Sequence, residues 1–98
     1  EYESEYINNK PHGKTNYWYP SGNIKSESQY QNGLLHDDLI KYYPNGIIEY
    51  RIEYFFGKKN GYERWYYDNG QIKIEIHYKD NIIIGNVIRW DMNGIIIN

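Results

Sequence analysis

The stretch "YYPNGIIEYRIEY" (Tyr42–Tyr54) sets a Pro-Asn-Gly turn between two segments rich in aromatic residues and isoleucine. The chain says nearly the same thing three more times. "YWYPSGNIKSESQY" (residues 17–30) precedes it, "WYYDNGQIKIEIHY" (65–78) follows it, and "RWDMNGIII" (89–97) stands near the end. The turn glycines Gly22, Gly46, Gly70 and Gly94 are spaced by 24 residues, and so are the strand-ending tyrosines Tyr6, Tyr30, Tyr54 and Tyr78. An aromatic recurs at Trp18, Tyr42, Tyr66 and Trp90, and an isoleucine at Ile24, Ile48, Ile72 and Ile96. A second glycine recurs at Gly13, Gly61 and Gly85, with Asp37 in its place in one unit. Several independent positions that keep one period without an insertion identify a repeat array.

Each unit reads as two strands and two turns. In "YPSG", "YPNG", "YDNG" and "DMNG", a residue suited to the first corner is followed by Asn or Ser and then by a glycine. That glycine takes the left-handed conformation and closes the hairpin with a bulge. The next strand alternates. Ile48, Tyr50, Ile52 and Tyr54 are expected on one side, and Glu49, Arg51 and Glu53 on the other. The third unit repeats this with Ile72, Ile74, Ile76 and Tyr78 against Lys73, Glu75 and His77. The second turn, in "YQNGLLHD", "YFFGKKNG" and "YKDNIIIG", reads as looser, a break of Gly and Asn before the next aromatic strand.

The expected fold is all-β: an elongated antiparallel β-meander of about four 24-residue hairpin repeats in a single twisted sheet. Residues 1–98 form one array, with units at about 1–22, 23–46, 47–70 and 71–94 and a partial unit at 95–98. Strands roughly 4.8 Å apart give an array about 40 Å long.

Composition narrows the function. Among 98 residues, 13 are Tyr and 3 are Trp, which favours pleated strands over helices. A net charge of -2 gives no electrostatic reason to expect nucleic acid or an anionic membrane as partner. The absence of cysteine removes disulfides and thiolate metal sites. No apolar run approaches the roughly 20 residues of a membrane span. The chain starts at Glu1 without an initiator Met, which leaves a cytoplasmic protein and an exported one with its signal removed equally open.

The pattern G-x-x-x-x-[YW]-[YW]-x-[SN]-G-x-[IL]-x-x-E-x-x-Y-x-x-G resembles the MORN repeat. It is carried by Gly61, Tyr66, Tyr67, Asn69, Gly70, Ile72, Glu75 and Tyr78, and by their counterparts in the other units. It looks most like the bacterial variant of that repeat found in antitoxin components. The departures are Asp37 for glycine, Arg51 for the strand glutamate and Asp91 for the second aromatic of the last unit. The resemblance implies sheets of stacked hairpins that serve as scaffolds, dimerisation elements or docking surfaces. It also implies a protein partner, which in the antitoxin setting is a toxin.

Nothing in the sequence reads as catalytic, and no cofactor or metal is expected. His12 and His36 are equivalent positions on neighbouring units, roughly 9.6 Å apart by strand spacing, too far for ready sharing of a metal whose ligand nitrogens sit about 2.1 Å away. They and His77 read as solvated or turn-capping. Glu27 and Glu75, in register with Arg51, read as a solvated face of mixed sign. No nucleophile elbow surrounds Ser4, Ser21, Ser26 or Ser28, and the glycines fall in turns rather than in a phosphate loop.

The aromatic rows carry the signal. Trp18, Tyr42, Tyr66, Trp90, Tyr30, Tyr54 and Tyr78 either cover the sheet or form a recognition surface, since Tyr and Trp are enriched at binding hot spots. The expected activity is a non-enzymatic scaffold for protein–protein interaction. The alternatives are a glycan- or lipid-binding aromatic face, or a spacer module of a larger protein. The runs "NIIIGNVI" (81–88) and "GIIIN" (94–98) mark an edge expected to be covered by a partner, a second copy or further sequence.

Overall fold

The computed structural model describes residues 2–3, 6–7, 10–11 and 13–97. Every described element is a strand, with no helix among the described residues, and the architecture is one open antiparallel sheet with a small two-stranded pair beside it in the chain. In chain order the strands are β1 (Tyr2–Glu3), β2 (Tyr6–Ile7), β3 (Lys10–Pro11), β4 (Gly13–Trp18), β5 (Ile24–Gln31), β6 (Leu34–Leu35), β7 (Asp37–Tyr42), β8 (Ile48–Phe55), β9 (Lys58–Tyr66), β10 (Ile72–Lys79), β11 (Ile82–Trp90) and β12 (Ile96–Ile97). The sheet runs β1-β4-β5-β7-β8-β9-β10-β11-β12, with β6 also paired to β5, and β2 pairs β3 separately. From β4 onward each strand lies beside its sequence neighbours, as short connections dictate. The array measures 47 × 36 × 10 Å, the thickness of one sheet with its side chains.

The turns at Gly22, Gly46, Gly70 and Gly94 share one geometry. In the second, Gly46 N–H donates to Tyr43 O at 2.9 Å and Tyr43 N–H to Ile47 O at 2.7 Å, with Gly46 at φ +90°. The left-handed glycine shifts the ladder by one residue between Lys41 and Tyr42. That shift changes the start of β8. Glu49 does not point away with Arg51; it accepts from Lys41 Nζ at 2.7 Å, and Lys41 stands directly opposite Tyr50.

The second turn is tighter than its sequence suggests. Gln31 pairs with Leu34, Phe55 with Lys58 and Lys79 with Ile82, which leaves two residues in each loop. Both take positive φ: Asn32 and Gly33, Phe56 and Gly57, Asp80 and Asn81. This is the two-residue turn whose twist matches that of the strands. The irregularity lies a few residues later, at the bulge residues Gly13, Asp37, Gly61 and Gly85, all with positive φ. Asp37, at φ +66°, adopts the conformation its glycine counterparts take.

Neighbouring units are stitched at the first turn. Tyr19 Oη donates to Tyr42 O at 2.6 Å, Tyr43 Oη to Tyr66 O at 2.6 Å and Tyr67 Oη to Trp90 O at 2.8 Å. Asn23 and Asn45 side chains add bonds to Pro44 O and Asp68 O, each 3.0 Å. Asp91 occupies the same repeat position as Tyr19, Tyr43 and Tyr67, and caps its own turn by accepting from Asn93 and Ile95 N–H. Stability in such an array is a sum of unit and neighbour terms.

Candidate interaction surface

The ladder fixes which side chains share a face. One row crosses the sheet through Tyr17, Ser26, Lys41, Tyr50, Trp65, Ile74 and Arg89, each the direct partner of the next. The adjacent row crosses through Asn16, Glu27, Ile40, Arg51, Arg64, Glu75 and Ile88. Successive residues of a strand point to opposite faces, so these rows define two different surfaces.

The first surface also carries Leu39, Ile52, Glu63 and Ile76, another directly paired run, together with Tyr30, Tyr54 and Tyr78. It is the more apolar of the two. Its centre is the Tyr50–Trp65 pair, with rings 4.6 Å apart and tilted at 41°. Beside them on the same face lie the most enclosed positions, Ile52 and Glu63, each 6% exposed. Glu63 Oε1 accepts from Lys59 Nζ at 2.6 Å, and Oε2 accepts from Trp65 Nε1 at 2.6 Å, so the buried carboxylate is paired and fixes the indole. Burial works to lower the Lys59 pKa, but the bond to Glu63 and its charge outweigh that and raise it. The Lys59 ammonium lies 4.9 Å from the centre of the Tyr78 ring. Burial also pushes the Tyr54 hydroxyl up.

The second surface is a charge lattice. Arg51 and Arg64 stand directly opposite, an unfavourable pair that two carboxylates offset. Arg51 is held by Asp38, and Arg64 Nε donates to Glu75 at 2.7 Å. Tyr42 Oη donates to Glu27 at 2.5 Å, and desolvation together with that bond pushes its pKa up to about 12. Tyr62 stacks on His77 at 4.4 Å, with the Arg64 guanidinium 4.3 Å from the Tyr62 ring centre.

The two aromatic rows therefore lie on different faces. Trp18, Tyr42, Tyr66 and Trp90 fall on the charged face by strand alternation, and Tyr30, Tyr54 and Tyr78 on the apolar one. All seven are half-buried. Tyr42 is committed to Glu27, and the carbonyls of Tyr42, Tyr66 and Trp90 receive the inter-unit hydroxyls. The residues at the centre of the apolar face, Tyr50 and Trp65, escaped the sequence reading because their positions hold a ring in alternate units rather than in every one. The positions equivalent to Tyr50 hold Tyr2, Ser26, Ile74 and Asn98, and those equivalent to Trp65 hold Tyr17, Lys41 and Arg89. That departure from the repeat was the available signal. Positions that recur in every unit are needed by the fold, whereas a ring that Ser26, Ile74, Lys41 or Arg89 can replace is not.

His36 caps a turn: its Nδ1 accepts from Phe56 N–H at 3.2 Å, and its ring lies 4.5 Å from that of Phe56. His12 lies outside the described residues. An open cavity of about 260 Å³ is lined by Gly13, Gln29, Tyr30, Gln31, His36 and Asp37, smaller than the pockets that enclose drug-sized ligands. Among the described residues no cluster of His, Asp or Glu is placed to hold a metal.

A family model described as a MORN repeat variant matches residues 11–32, 38–55 and 59–80, well over half of the chain. The first and third matches start two 24-residue periods apart, in the frame of the hairpins. No curated protein matches the chain.

Proposed function

Since the chain belongs to the MORN repeat variant family, whose repeats are binding modules as a rule and rarely catalytic, we propose that it is a non-enzymatic scaffold that docks another protein on its apolar face. The observation that carries this reading is the Tyr50–Trp65 pair, flanked by Tyr54 and Tyr78, on a sheet face that no second layer covers among the described residues. A single sheet cannot bury both faces by itself, and half-buried Tyr and Trp held rigid by neighbours are the side chains that dominate protein interfaces. A flat surface spanning tens of ångströms suits a macromolecule better than a small ligand. The likeness to the bacterial antitoxin variant supports a toxin as the partner. Glycan or lipid on the same rings is the competing reading.

The repeat itself supplies fold-compatible variants. Tyr50→Ser installs the residue found at Ser26, Trp65→Lys the one at Lys41, and Tyr62→Asn, on the charged face, the one at Asn86. The test is affinity capture from lysate of the source cell with the native chain and each variant as bait. One stoichiometric protein, lost with Tyr50→Ser/Trp65→Lys and kept with Tyr62→Asn, is expected. Capture that ignores the Tyr50 and Trp65 changes refutes the apolar face as the docking site. No captured protein, with tryptophan fluorescence quenched by oligosaccharides or vesicles, transfers the rings to the competing reading.

A further inference from the structure

Strand β9 departs from the repeat at three positions whose side chains touch. Lys59 stands where the other units hold Pro11, Leu35 and Ile83, Glu63 where they hold Thr15, Leu39 and Val87, and Trp65 where they hold Tyr17, Lys41 and Arg89. Glu63 and Trp65 are two residues apart on one strand and so share the apolar face. One carboxylate joins the three side chains: Glu63 Oε1 accepts from Lys59 Nζ and Oε2 from Trp65 Nε1, each at 2.6 Å.

Stability does not account for this carboxylate. At 6% exposure Glu63 has given up most of its hydration, and a buried ion pair recovers little of that cost relative to well-packed apolar side chains. The sheet forms equally over threonine, leucine and valine at the equivalent positions. What Glu63 adds is confined to its neighbours, and its neighbour on the docking surface is the Trp65 indole. That ring is half-buried and lies 4.6 Å from the ring of Tyr50. Apolar contact alone leaves a ring several orientations, whereas a hydrogen bond at Nε1 has a direction and selects one.

We propose that Glu63 is the positioning residue of the docking site: it holds the Trp65 indole, before any partner arrives, in the orientation that the partner protein contacts. This rests on the reading of the apolar face as the docking surface. A ring ordered in advance loses less freedom on association, a cost that each newly immobilised side chain otherwise adds at an interface. Lys59 neutralises the carboxylate, so the face carries a buried acceptor without an unpaired buried charge. The indole has a single N–H and gives it to Glu63, so its contact with a partner is made by the ring alone.

The preceding unit supplies the fold-compatible comparison, because it holds Leu35 and Leu39 at the positions of Lys59 and Glu63. Lys59→Leu/Glu63→Leu removes the acceptor at Nε1, and Lys59→Leu/Glu63→Gln keeps one in the amide oxygen. Each chain is read in two ways. One is the Trp65 indole N–H by NMR of the isotope-labelled chain, identified by its absence from Trp65→Lys. The other is the dissociation constant for the purified protein that the native chain captures from lysate. The indole N–H should exchange slowly in the native chain and the glutamine variant and fast in the double-leucine variant. Binding should weaken about three- to tenfold with double leucine and return to within about twofold with glutamine. Native affinity in the double-leucine variant, with Tyr50→Ser/Trp65→Lys still inactive, overturns the positioning role and leaves the docking surface standing. An indole equally ordered in all three chains overturns it as well. Binding that ignores the Tyr50 and Trp65 changes, or no captured protein at all, removes the docking surface itself and the positioning role with it.

Discussion

The hydroxyl of Tyr43 donates to the carbonyl of Tyr66, 23 residues on, at 2.6 Å. The same bond joins Tyr19 to Tyr42 and Tyr67 to Trp90, so one side-chain type closes each unit onto the next. Replacing Tyr43 by Phe keeps the ring and removes the donor, leaving a part-buried carbonyl unsatisfied. A loss of about 1 kcal/mol is expected in denaturant unfolding, the net worth of one such bond. Tyr19→Phe and Tyr67→Phe should match it closely.

Gly61 and Gly46 both have positive φ, yet they answer alanine differently. A Cβ on Gly46 would meet nothing within 4 Å, so Gly46→Ala should cost only backbone strain, about 1 kcal/mol. A Cβ on Gly61 would overlap the Glu53 carboxylate, which accepts from Tyr62 N–H at 2.8 Å. Gly61→Ala should therefore cost clearly more, by roughly a further 1–3 kcal/mol for the lost cap. Chemical denaturation of the two variants side by side checks the order.

Tyr42 sets a limit at alkaline pH. Its folded pKa is raised from 10.0 to about 12, first by desolvation and then by the bond to Glu27. The folded state holds the proton longer than the unfolded chain, so its contribution to stability is complete below pH 10 and is lost as pH rises toward 12. Tyr42→Phe should flatten that part of the stability–pH curve. Tyrosinate absorbance, native minus variant, should show one hydroxyl titrating late.

Glu63 is buried where the equivalent positions hold Thr15, Leu39 and Val87. The row therefore accommodates an aliphatic side chain. Glu63→Leu should cost less than Glu63→Ala, because leucine fills the space while alanine leaves a void and strands Lys59 and Trp65 equally. Thermal unfolding of both variants, with Glu63→Ala at least about 1 kcal/mol the weaker, is the check.

Most of the architecture was legible because repetition announces itself. The glycine and tyrosine series gave the hairpin order and the sheet type before any geometry was known, but not the breaks that leave short strands such as β2, β3 and β6. The second turn was misread although Asn32-Gly33 is tight-turn chemistry, because Phe56-Gly57 and Asp80-Asn81 are not its usual pairs and further Gly and Asn residues follow within a few positions. Phe56 takes φ +45° only because the ladder on both sides holds it there. Glu49 was misassigned because a bulge resets the alternation that a bare period of two assumes. The separation of the aromatic rows onto two faces was implicit in the parity of their positions. What the pattern hid was the importance of Tyr50 and Trp65, since a search for positions kept in every unit passes over rings kept in only some.

The most direct test of the account is hydroxyl-radical footprinting of the chain with its captured partner. Docking on the apolar face predicts protection of Tyr50, Tyr54, Trp65 and Tyr78, while Tyr62 and Tyr66 react as in the free chain. Protection of Tyr62 and Tyr66, with Tyr50 and Trp65 still reactive, would place the partner on the charged face and contradict the account.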